Sequence, residues 1–412
     1  GQTSGDLPVE YADFEPETLY LLLSAEIAAQ RGRYDVTLVN YLRAAQQSRD
    51  KNVIERAMRI AQSLNGDNAQ KQLAELWLDV DPENLQALRV SAIQSVKRNE
   101  LESALGYMER ILDQGGDADF DSLAAMAGNL PQEQQRELLA LYEEMANRHP
   151  DTPELEYSIA LLLKITGDPD AALLRLEPLL EEEPNFQPAI ILKGDLLYQT
   201  GEVIEALDHL LVNTRRFPAN RQMGTLYGRM LISEGELQAA QDEFSRLSDR
   251  YPDNAGLRLS HALVALENGQ LELAKEELTR LIEQGHHTSE ASYYLGRIED
   301  EAGNAVQAIG YYQSVEQGNY YLPALARASA LLAAEGRLEE ARDNIRSLRS
   351  TNPERAENYW LLEVNLLLDQ RLQQEALEAG SSALEEFPEN LQIRYRCSGS
   401  AGQSRRRSQA DC

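Results

Sequence analysis

The sequence predicts an all-α fold, built as an array of antiparallel helix pairs. Three observations carry this prediction: a helix-favouring composition, a proline spacing of about 34 residues, and small residues at fixed distances from recurring glycines. Leu, Ala and Glu dominate, and the 412 residues include only 15 prolines. A chain of this length exceeds one ordinary globular core, but a repeat array escapes that limit because each unit packs only on its neighbours.

Prolines mark the ends of the predicted repeats. They are separated by 34 residues or by near-multiples of 34, at Pro82, Pro150, Pro184, Pro218, Pro252, Pro353 and Pro388. Proline cannot continue a helix interior, and an Asn or Asp shortly after it can cap the next helix, as in the stretch Tyr251-Pro252-Asp253-Asn254. We therefore expect each proline to separate one helix pair from the next.

Glycines repeat with the same period and predict the turn inside each pair. They stand at Gly167, Gly201, Gly235, Gly269, Gly303 and Gly336. Five residues after each comes an alanine, and seven residues before each comes Ala, Gly or Ser. A turn between two helices needs the positive φ that glycine adopts easily. The small residues on either side predict the point where the two helices of a pair nearly touch.

These features resemble the tetratricopeptide-repeat family, and the resemblance covers residues 16–390. It implies a right-handed superhelical solenoid, and we count about eleven helix pairs, including irregular ones with Asn99 and Arg371 at the turn. Residues 1–15 are expected to form a flexible N-terminal segment. From about Cys397 the apolar periodicity ends, so residues 391–412 are expected to be irregular, as a disordered basic tail or a non-native sequence.

Charge and missing motifs exclude several functions. With 39 Lys and Arg against 68 Asp and Glu, the net charge is −29, which repels phosphate backbones and argues against nucleic acid as a partner. No phosphate-binding glycine loop, nucleophile elbow or metal-binding histidine pair is found. Adjacent His286 and His287 fall in a junction and are expected to be solvated. The sequence therefore predicts a protein that is not an enzyme and has no cofactor or metal.

The first helix of each pair is expected to line the concave face. Positions −3, +1 and +4 from the small residue follow the i, i+4, i+7 stripe of one helix face. This stripe gives a mixture of polar and aromatic side chains suited to binding proteins, and an individual residue could instead solvate the groove or brace neighbouring helices. The candidates for the protein-binding groove are Tyr157, Lys164, Asp195, Tyr198, Arg229, Tyr293, Arg297, Asp300 and Asn365.

Three further stretches carry a closer resemblance. They begin at Asp6-Leu-Pro-Val-Glu-Tyr, at Val53-Ile-Glu-Arg-Ala-Met-Arg-Ile-Ala and at Gln114-Gly-Gly-Asp-Ala-Asp-Phe. Together they resemble the tetratricopeptide outer-membrane lipoproteins of Gram-negative bacteria that partner a periplasmic carboxyl-terminal processing protease. The resemblance implies an adaptor that binds this serine protease, promotes its activity and presents peptidoglycan hydrolases for degradation.

The resemblance also implies a location on the periplasmic side of the outer membrane. The lipid-bearing cysteine of that family is not among these residues, so a membrane contact is expected only through an anchor outside this chain. An alternative that the residues leave open is a scaffold for another envelope or polysaccharide assembly complex.

Overall fold

The structure is a computed structural model that describes residues 14–399. In this part of the chain every regular element is helical, which confirms the predicted all-α fold class. The chain divides into two compact units, 1–213 and 214–412. The N-terminal segment 1–13 and residues 400–412 lie outside the described residues.

The first unit contains six helix pairs, the last of which ends just beyond it. The helices are α1 (Pro16–Gln30), α2 (Tyr34–Ser48), α3 (Lys51–Ser63), α4 (Asp67–Val80), α5 (Leu85–Lys97), α6 (Leu101–Asp113), α7 (Phe120–Met126), α8 (Gln132–Arg148), α9 (Pro153–Ile165), α10 (Pro169–Glu182), α11 (Gln187–Gln199) and α12 (Val203–Arg216). A short 3₁₀ segment, Ala127–Asn129, follows α7.

The second unit contains five further pairs, so the expected number of about eleven is confirmed for the described residues. The helices are α13 (Arg221–Ser233), α14 (Leu237–Arg250), α15 (Ala255–Glu267), α16 (Leu271–Glu283), α17 (Thr288–Glu301), α18 (Ala305–Gln313), α19 (Tyr321–Ala334), α20 (Leu338–Thr351), α21 (Ala356–Asp369) and α22 (Gln373–Glu386). A 3₁₀ segment, Pro353–Arg355, precedes α21.

The turn inside most pairs contains the predicted left-handed residue. All six periodic glycines have positive φ, from 75° at Gly269 to 89° at Gly167. Asn99 and Arg371 take the same conformation, with φ of 60° and 61°, at the turns where glycine is missing. The turn geometry is therefore retained at these two positions, whereas the α7–α8 connection, residues 127–131, contains no residue with positive φ.

Close approach of the two helices explains the small residue that precedes each turn. A Cβ atom added at Gly228 would lie 2.6 Å from Cε2 of Phe244, and one at Gly194 would lie 2.7 Å from Cδ2 of Leu210. Within the pairs the matching alanines, such as Ala240, are fully buried. A large side chain of the second helix thus occupies the space that a larger first-helix residue would need.

The C-terminal boundary differs from the sequence expectation. Residues 391–399 are helical, and Ile393 is fully buried, although the irregular segment was expected to begin at 391. The cause is a helix cap: the side-chain oxygen of Asn390 accepts a hydrogen bond from the N–H of Ile393 at 2.8 Å. Helical packing therefore continues past residue 390, and the rest of the expected irregular segment, 400–412, is not described.

Candidate functional site

The second unit carries a groove along four successive first helices, α15, α17, α19 and α21. It consists of three adjoining cavities of about 480, 440 and 310 Å³. The first two share Arg297 and Glu301, and the last two share four residues of α19 and α21. We call this the unit-2 groove. Four candidates from the sequence stripe line this groove: Tyr293, Arg297, Asp300 and Asn365. Their contact with a partner stays a prediction.

One end of the unit-2 groove combines leucines with charged side chains. Leu263 and Leu266 of α15 line it together with Leu271 at the start of α16. On the facing helix, Ile298 is buried and Arg297 is exposed. Glu267 and Glu301 line the same cavity, and Arg297 lies 3.7 Å from the exposed Glu301. This mixture of leucine surface and charged groups suits an extended polypeptide with mixed side chains.

The centre of the unit-2 groove is aromatic. Tyr293 lies between three other tyrosine rings, with centroid distances of 4.9 Å to Tyr320, 5.4 Å to Tyr294 and 6.0 Å to Tyr312. The guanidinium of Arg297 lies 5.8 Å from the Tyr294 ring centroid. Burial, followed by the hydrogen bond with Tyr320, raises the pKa of Tyr294 to about 12. The four rings therefore form one packed aromatic cluster at the centre of the groove.

An ion pair joins α17 to α19 beside this cluster. Arg327 donates to both carboxylate oxygens of Asp300, and the Tyr312 hydroxyl donates to Oδ2 of Asp300 at 3.2 Å. The hydrogen bond from Arg327 is the main reason that the pKa of Asp300 lies below its usual range. The sequence stripe missed Arg327 because it lies two residues before the small residue Ser329, a position that the stripe does not include.

The other end of the unit-2 groove contains an unsatisfied acceptor. The Oδ1 atom of Asn365 is buried and has no hydrogen-bond partner. Leu361, Leu362 and Leu366 of the same helix line the cavity around it. A buried acceptor without a partner costs free energy, and an N–H group entering this cavity would remove that cost. An amide at this position is suited to the main chain of a bound segment.

Arg229 occupies the corresponding position on α13, two helices before α15. It is exposed, and it does not line any of the three cavities of the unit-2 groove. The structure therefore does not bring this candidate together with the other four.

In the first unit, the four candidates lie on α9 and α11. Lys164 forms an ion pair with Asp195 across these two first helices, and both side chains are about three-quarters buried. Tyr157 packs edge-on against Phe186 at a centroid distance of 5.9 Å, and burial raises the pKa of Tyr157. Tyr198 is half-buried. Lys164, Asp195 and Tyr157 thus brace neighbouring elements, which was the second interpretation that the sequence left open.

The chemistry of the described residues is that of contact surfaces. Among residues 14–399, no group of three or more His, Cys, Asp or Glu side chains is arranged to hold a metal ion. In the same range, no helix has the length and apolar character needed to cross a bilayer. His286 and His287 are exposed in the α16–α17 junction, where His287 Nδ1 lies 3.6 Å from Glu290.

Comparison with known proteins gives one family model and one curated relative. The model of the tetratricopeptide repeat matches residues 259–321, which include most of α15 and all of α16, α17 and α18. The chain is 42% identical over 388 residues to a TPR repeat-containing protein, PA4667, of Pseudomonas aeruginosa. The match covers 94% of this chain, and the chain spans 66% of the length of that relative.

Solved structures show weaker likenesses. The yeast Tom70 structure is 14% identical with a TM-score of 0.38, covering 94% of this chain and 96% of that chain. A tetratricopeptide repeat protein from Parabacteroides merdae is 17% identical with a TM-score of 0.36, covering 56% of this chain and 91% of that chain. Structural similarities this low support no conclusion about function.

Proposed function

Since this chain is a tetratricopeptide-repeat protein, we propose that it acts as a non-catalytic adaptor for a periplasmic carboxyl-terminal processing protease. Such repeats build extended surfaces for protein–protein interaction. In this proposal the chain binds the protease, promotes its activity and presents peptidoglycan hydrolases for degradation. It does so on the periplasmic side of the outer membrane, as part of a lipoprotein.

The unit-2 groove is the observation that carries the binding role. Its leucine end can bury apolar side chains, and Asn365 can bond to a main chain. Arg297, whose present ion-pair partner Glu301 is 71% exposed, can exchange that partner for a carboxylate of the bound segment. These features are spread over four helices, so the groove suits a polypeptide segment better than a small molecule. The aromatic wall between them is already packed, so binding would require little reordering.

The identity of the protease partner rests on the sequence resemblance at the three stretches that begin at Asp6, Val53 and Gln114. Of these, Val53, Ile54, Ala57 and Met58 are buried in the first unit. Phe120, which closes the third stretch, is buried as well. Much of the resemblance therefore lies in the core and edge of the first unit, separate from the residues that line the unit-2 groove.

The test is co-purification and rate measurement with a cognate carboxyl-terminal processing protease and a peptidoglycan hydrolase as substrate. We expect the chain to bind the protease and to increase hydrolase cleavage, with no cleavage by the chain alone. Absence of both binding and rate increase would remove the protease role. Binding of hydrolase without any effect on the protease would also contradict the proposal.

A charge reversal tests the groove itself. Arg297→Glu should lower the binding affinity for one partner about tenfold. The reason is that the new glutamate would repel a carboxylate of that partner, which Arg297 could attract. Arg250→Glu is the matched control, since Arg250 is exposed at the end of the second helix α14. Equal losses in both variants would mean that overall charge, and not the unit-2 groove, governs binding. Circular dichroism should show unchanged helicity in both.

A further inference from the structure

An apolar cleft of about 330 Å³ lies in the first unit, between α5 and α7 with α6 at its base. Its apolar lining consists mainly of Ile93, Val96, Met108, Ile111, Leu123 and Met126. Ile93 is 55% exposed and Met126 is 52% exposed, so the two large side chains stand open at the mouth. Exposed apolar side chains grouped around a cleft are typical of a binding surface.

The repeat beside the cleft is irregular. Helix α7 has only 7 residues, whereas the neighbouring first helices α5 and α9 have 13 each. A 3₁₀ segment and Pro131 then redirect the chain toward α8. The short α7 lies beside α5, and Ile93 of α5 is exposed at the cleft between them.

The stretch Gln114-Gly-Gly-Asp-Ala-Asp-Phe forms one edge of this cleft. Gly115 has a φ of 77°, and a Cβ atom at Gly116 would lie 2.9 Å from Cγ2 of Ile111. Both glycines are therefore needed for the tight passage from α6 to α7. The passage places Asp117 and Asp119 at the cleft, with Oδ1 of Asp117 accepting the N–H of Asp119 at 3.0 Å.

Burial and neighbouring negative charges raise the pKa of two carboxylates near this edge of the cleft. Burial and then the charges of Asp117 and Asp121 raise the pKa of Asp119, and the same two charges raise the pKa of Glu154 on α9 after burial. Of the two cations that line the cleft, Lys97 is bound to Asp67 at 2.8 Å. The other cation, Arg89, partly offsets the negative charges around Asp119 and so lowers the pKa of Asp119. The α7 side of the cleft is thus negatively charged, and a bound cation would reduce the repulsion among its carboxylates.

We propose that this cleft is a docking site for a cationic amphipathic segment of a partner protein. An apolar side chain of that segment enters between Ile93 and Met126, and its Lys or Arg side chains lie against Asp117 and Asp119. A second copy docked symmetrically through the same cleft does not fit, because that contact would bring the same carboxylates together. The site is separate from the unit-2 groove and does not depend on the proposed adaptor function.

The test uses a fluorescent 14-residue peptide that carries leucines on one helical face and lysines on the other. Fluorescence anisotropy should show saturable binding that weakens as salt is raised. A counterpart with glutamates in place of the lysines, and one with serines in place of the leucines, should bind at least about tenfold more weakly, a difference of about 1.4 kcal/mol. Equal binding of either counterpart would overturn the proposal.

Matched variants distinguish binding at the cleft from binding that depends only on the negative charge of the whole chain. Ile93→Gln with Met126→Gln should weaken the leucine–lysine peptide about tenfold, whereas Leu174→Gln, at a site 67% exposed on α10, should not. Asp117→Asn with Asp119→Asn should weaken binding of this peptide similarly, because both residues line the cleft. Glu181→Gln with Glu182→Gln should not, although the same charge is removed.

Three results would overturn the docking site. The first is a loss in the control variants equal to that in the cleft variants, with helicity and thermal unfolding unchanged in all of them. The second is wild-type binding by Ile93→Gln with Met126→Gln. The third is a dimer in sedimentation experiments that the same double variant abolishes, since the occupant would then be a second copy. Loss of protease stimulation in Arg297→Glu, by contrast, would bear only on the unit-2 groove.

Discussion

Arg327 on α19 donates hydrogen bonds from Nε and Nη2 to the two carboxylate oxygens of Asp300 on α17, at 2.5 and 3.0 Å. Bidentate pairs of this kind are among the stronger side-chain interactions. The side chain of Asp300 is only 14% exposed, while that of Arg327 is 52% exposed. The pair therefore fixes the spacing of two first helices at the wall of the unit-2 groove.

Replacing Arg327 by Gln should lower stability and change its pH dependence. At pH 7 we expect a loss of about 1 kcal/mol, because one partner of the pair is half exposed. Arg327 holds the pKa of Asp300 below its unfolded value of about 3.9. The stabilisation is therefore fully present above that value and is lost as the pH falls through the folded pKa.

Urea unfolding at pH 7 and at pH 3 checks this prediction. The difference between wild type and Arg327→Gln should be largest at pH 7 and should narrow at pH 3. Arg250→Gln, which removes an exposed arginine of the same unit, should change stability by less than about 0.5 kcal/mol at either pH. A difference that grows toward acid would contradict the assigned role of Asp300.

The contact between Gly228 and Phe244 gives a second prediction. Gly228→Ala should destabilise the α13–α14 pair by about 1–3 kcal/mol, because the new Cβ would lie 2.6 Å from the Phe244 ring. Gly310→Ala in α18 is the matched control, since nothing lies within 4 Å of its Cβ position. There the helix propensity of alanine should stabilise by up to about 1 kcal/mol.

A double variant identifies the cause. Phe244→Leu should partly rescue Gly228→Ala, so that the two changes together cost less than the sum of the single costs. Hydrogen exchange over α13 and α14 measures the effect locally, because a repeat array need not unfold in one step. Strict additivity would mean that the strain lies elsewhere.

The sequence predicts which faces pack, because one small residue at each crossing leaves little choice of geometry. It does not predict which side chains pair across neighbouring repeats. Lys164 and Asp195 are 31 residues apart and both fall on the groove stripe, yet they bind each other across α9 and α11. Pairing depends on the reach and rotamer of each side chain, and residue spacing contains neither.

The C-terminal boundary could have been predicted from the sequence. Pro388-Glu389-Asn390 repeats the proline and capping pattern of Pro252-Asp253-Asn254, and in both stretches the asparagine caps the next helix. The expectation of an irregular segment from 391 gave more weight to the loss of apolar periodicity than to this cap. The short α7 was harder to predict, because no turn glycine marks the end of that helix.

The buried carboxylate of Glu363 gives a third prediction. It is 1% exposed, accepts hydrogen bonds from Arg342 at 3.2 Å and Arg349 at 2.7 Å, and lies 3.4 Å from Arg346. Glu363→Gln should destabilise the α20–α21 region by about 3 kcal/mol, because the arginines lose their shared counter-charge. Chemical denaturation with hydrogen exchange over these helices measures the loss.

An exposed glutamate on the neighbouring helix α20 provides the control. Glu339 is 74% exposed and lies 3.8 Å from Arg342, so Glu339→Gln should cost less than about 0.5 kcal/mol. If the two variants were equally stable, the arginines around Glu363 would have to find other partners or water at no cost. That result would show that this cluster adds nothing to stability.

The turn at Arg371 gives the last prediction, one of increased stability. Arg371 has a φ of 61°, a conformation that costs a residue with a side chain about 1–2 kcal/mol and glycine almost nothing. Arg371 is exposed, so its removal should disturb little packing. Part of the gain is offset because glycine also makes the unfolded chain more flexible, by about 0.4–1 kcal/mol. Arg371→Gly should therefore stabilise the α21–α22 pair by about 0.5–1 kcal/mol.

Two related substitutions make this prediction specific to the backbone. Gly336→Ala, at the turn of the preceding pair with a φ of 79°, should destabilise by at least about 1 kcal/mol, because it introduces the strain that Arg371→Gly removes. Asn99→Gly should gain less than Arg371→Gly, since asparagine tolerates the left-handed region better than arginine does. Hydrogen exchange at each turn measures the local stability and so ranks the three variants. A loss of stability in Arg371→Gly would mean that its side chain contributes more than its backbone conformation costs.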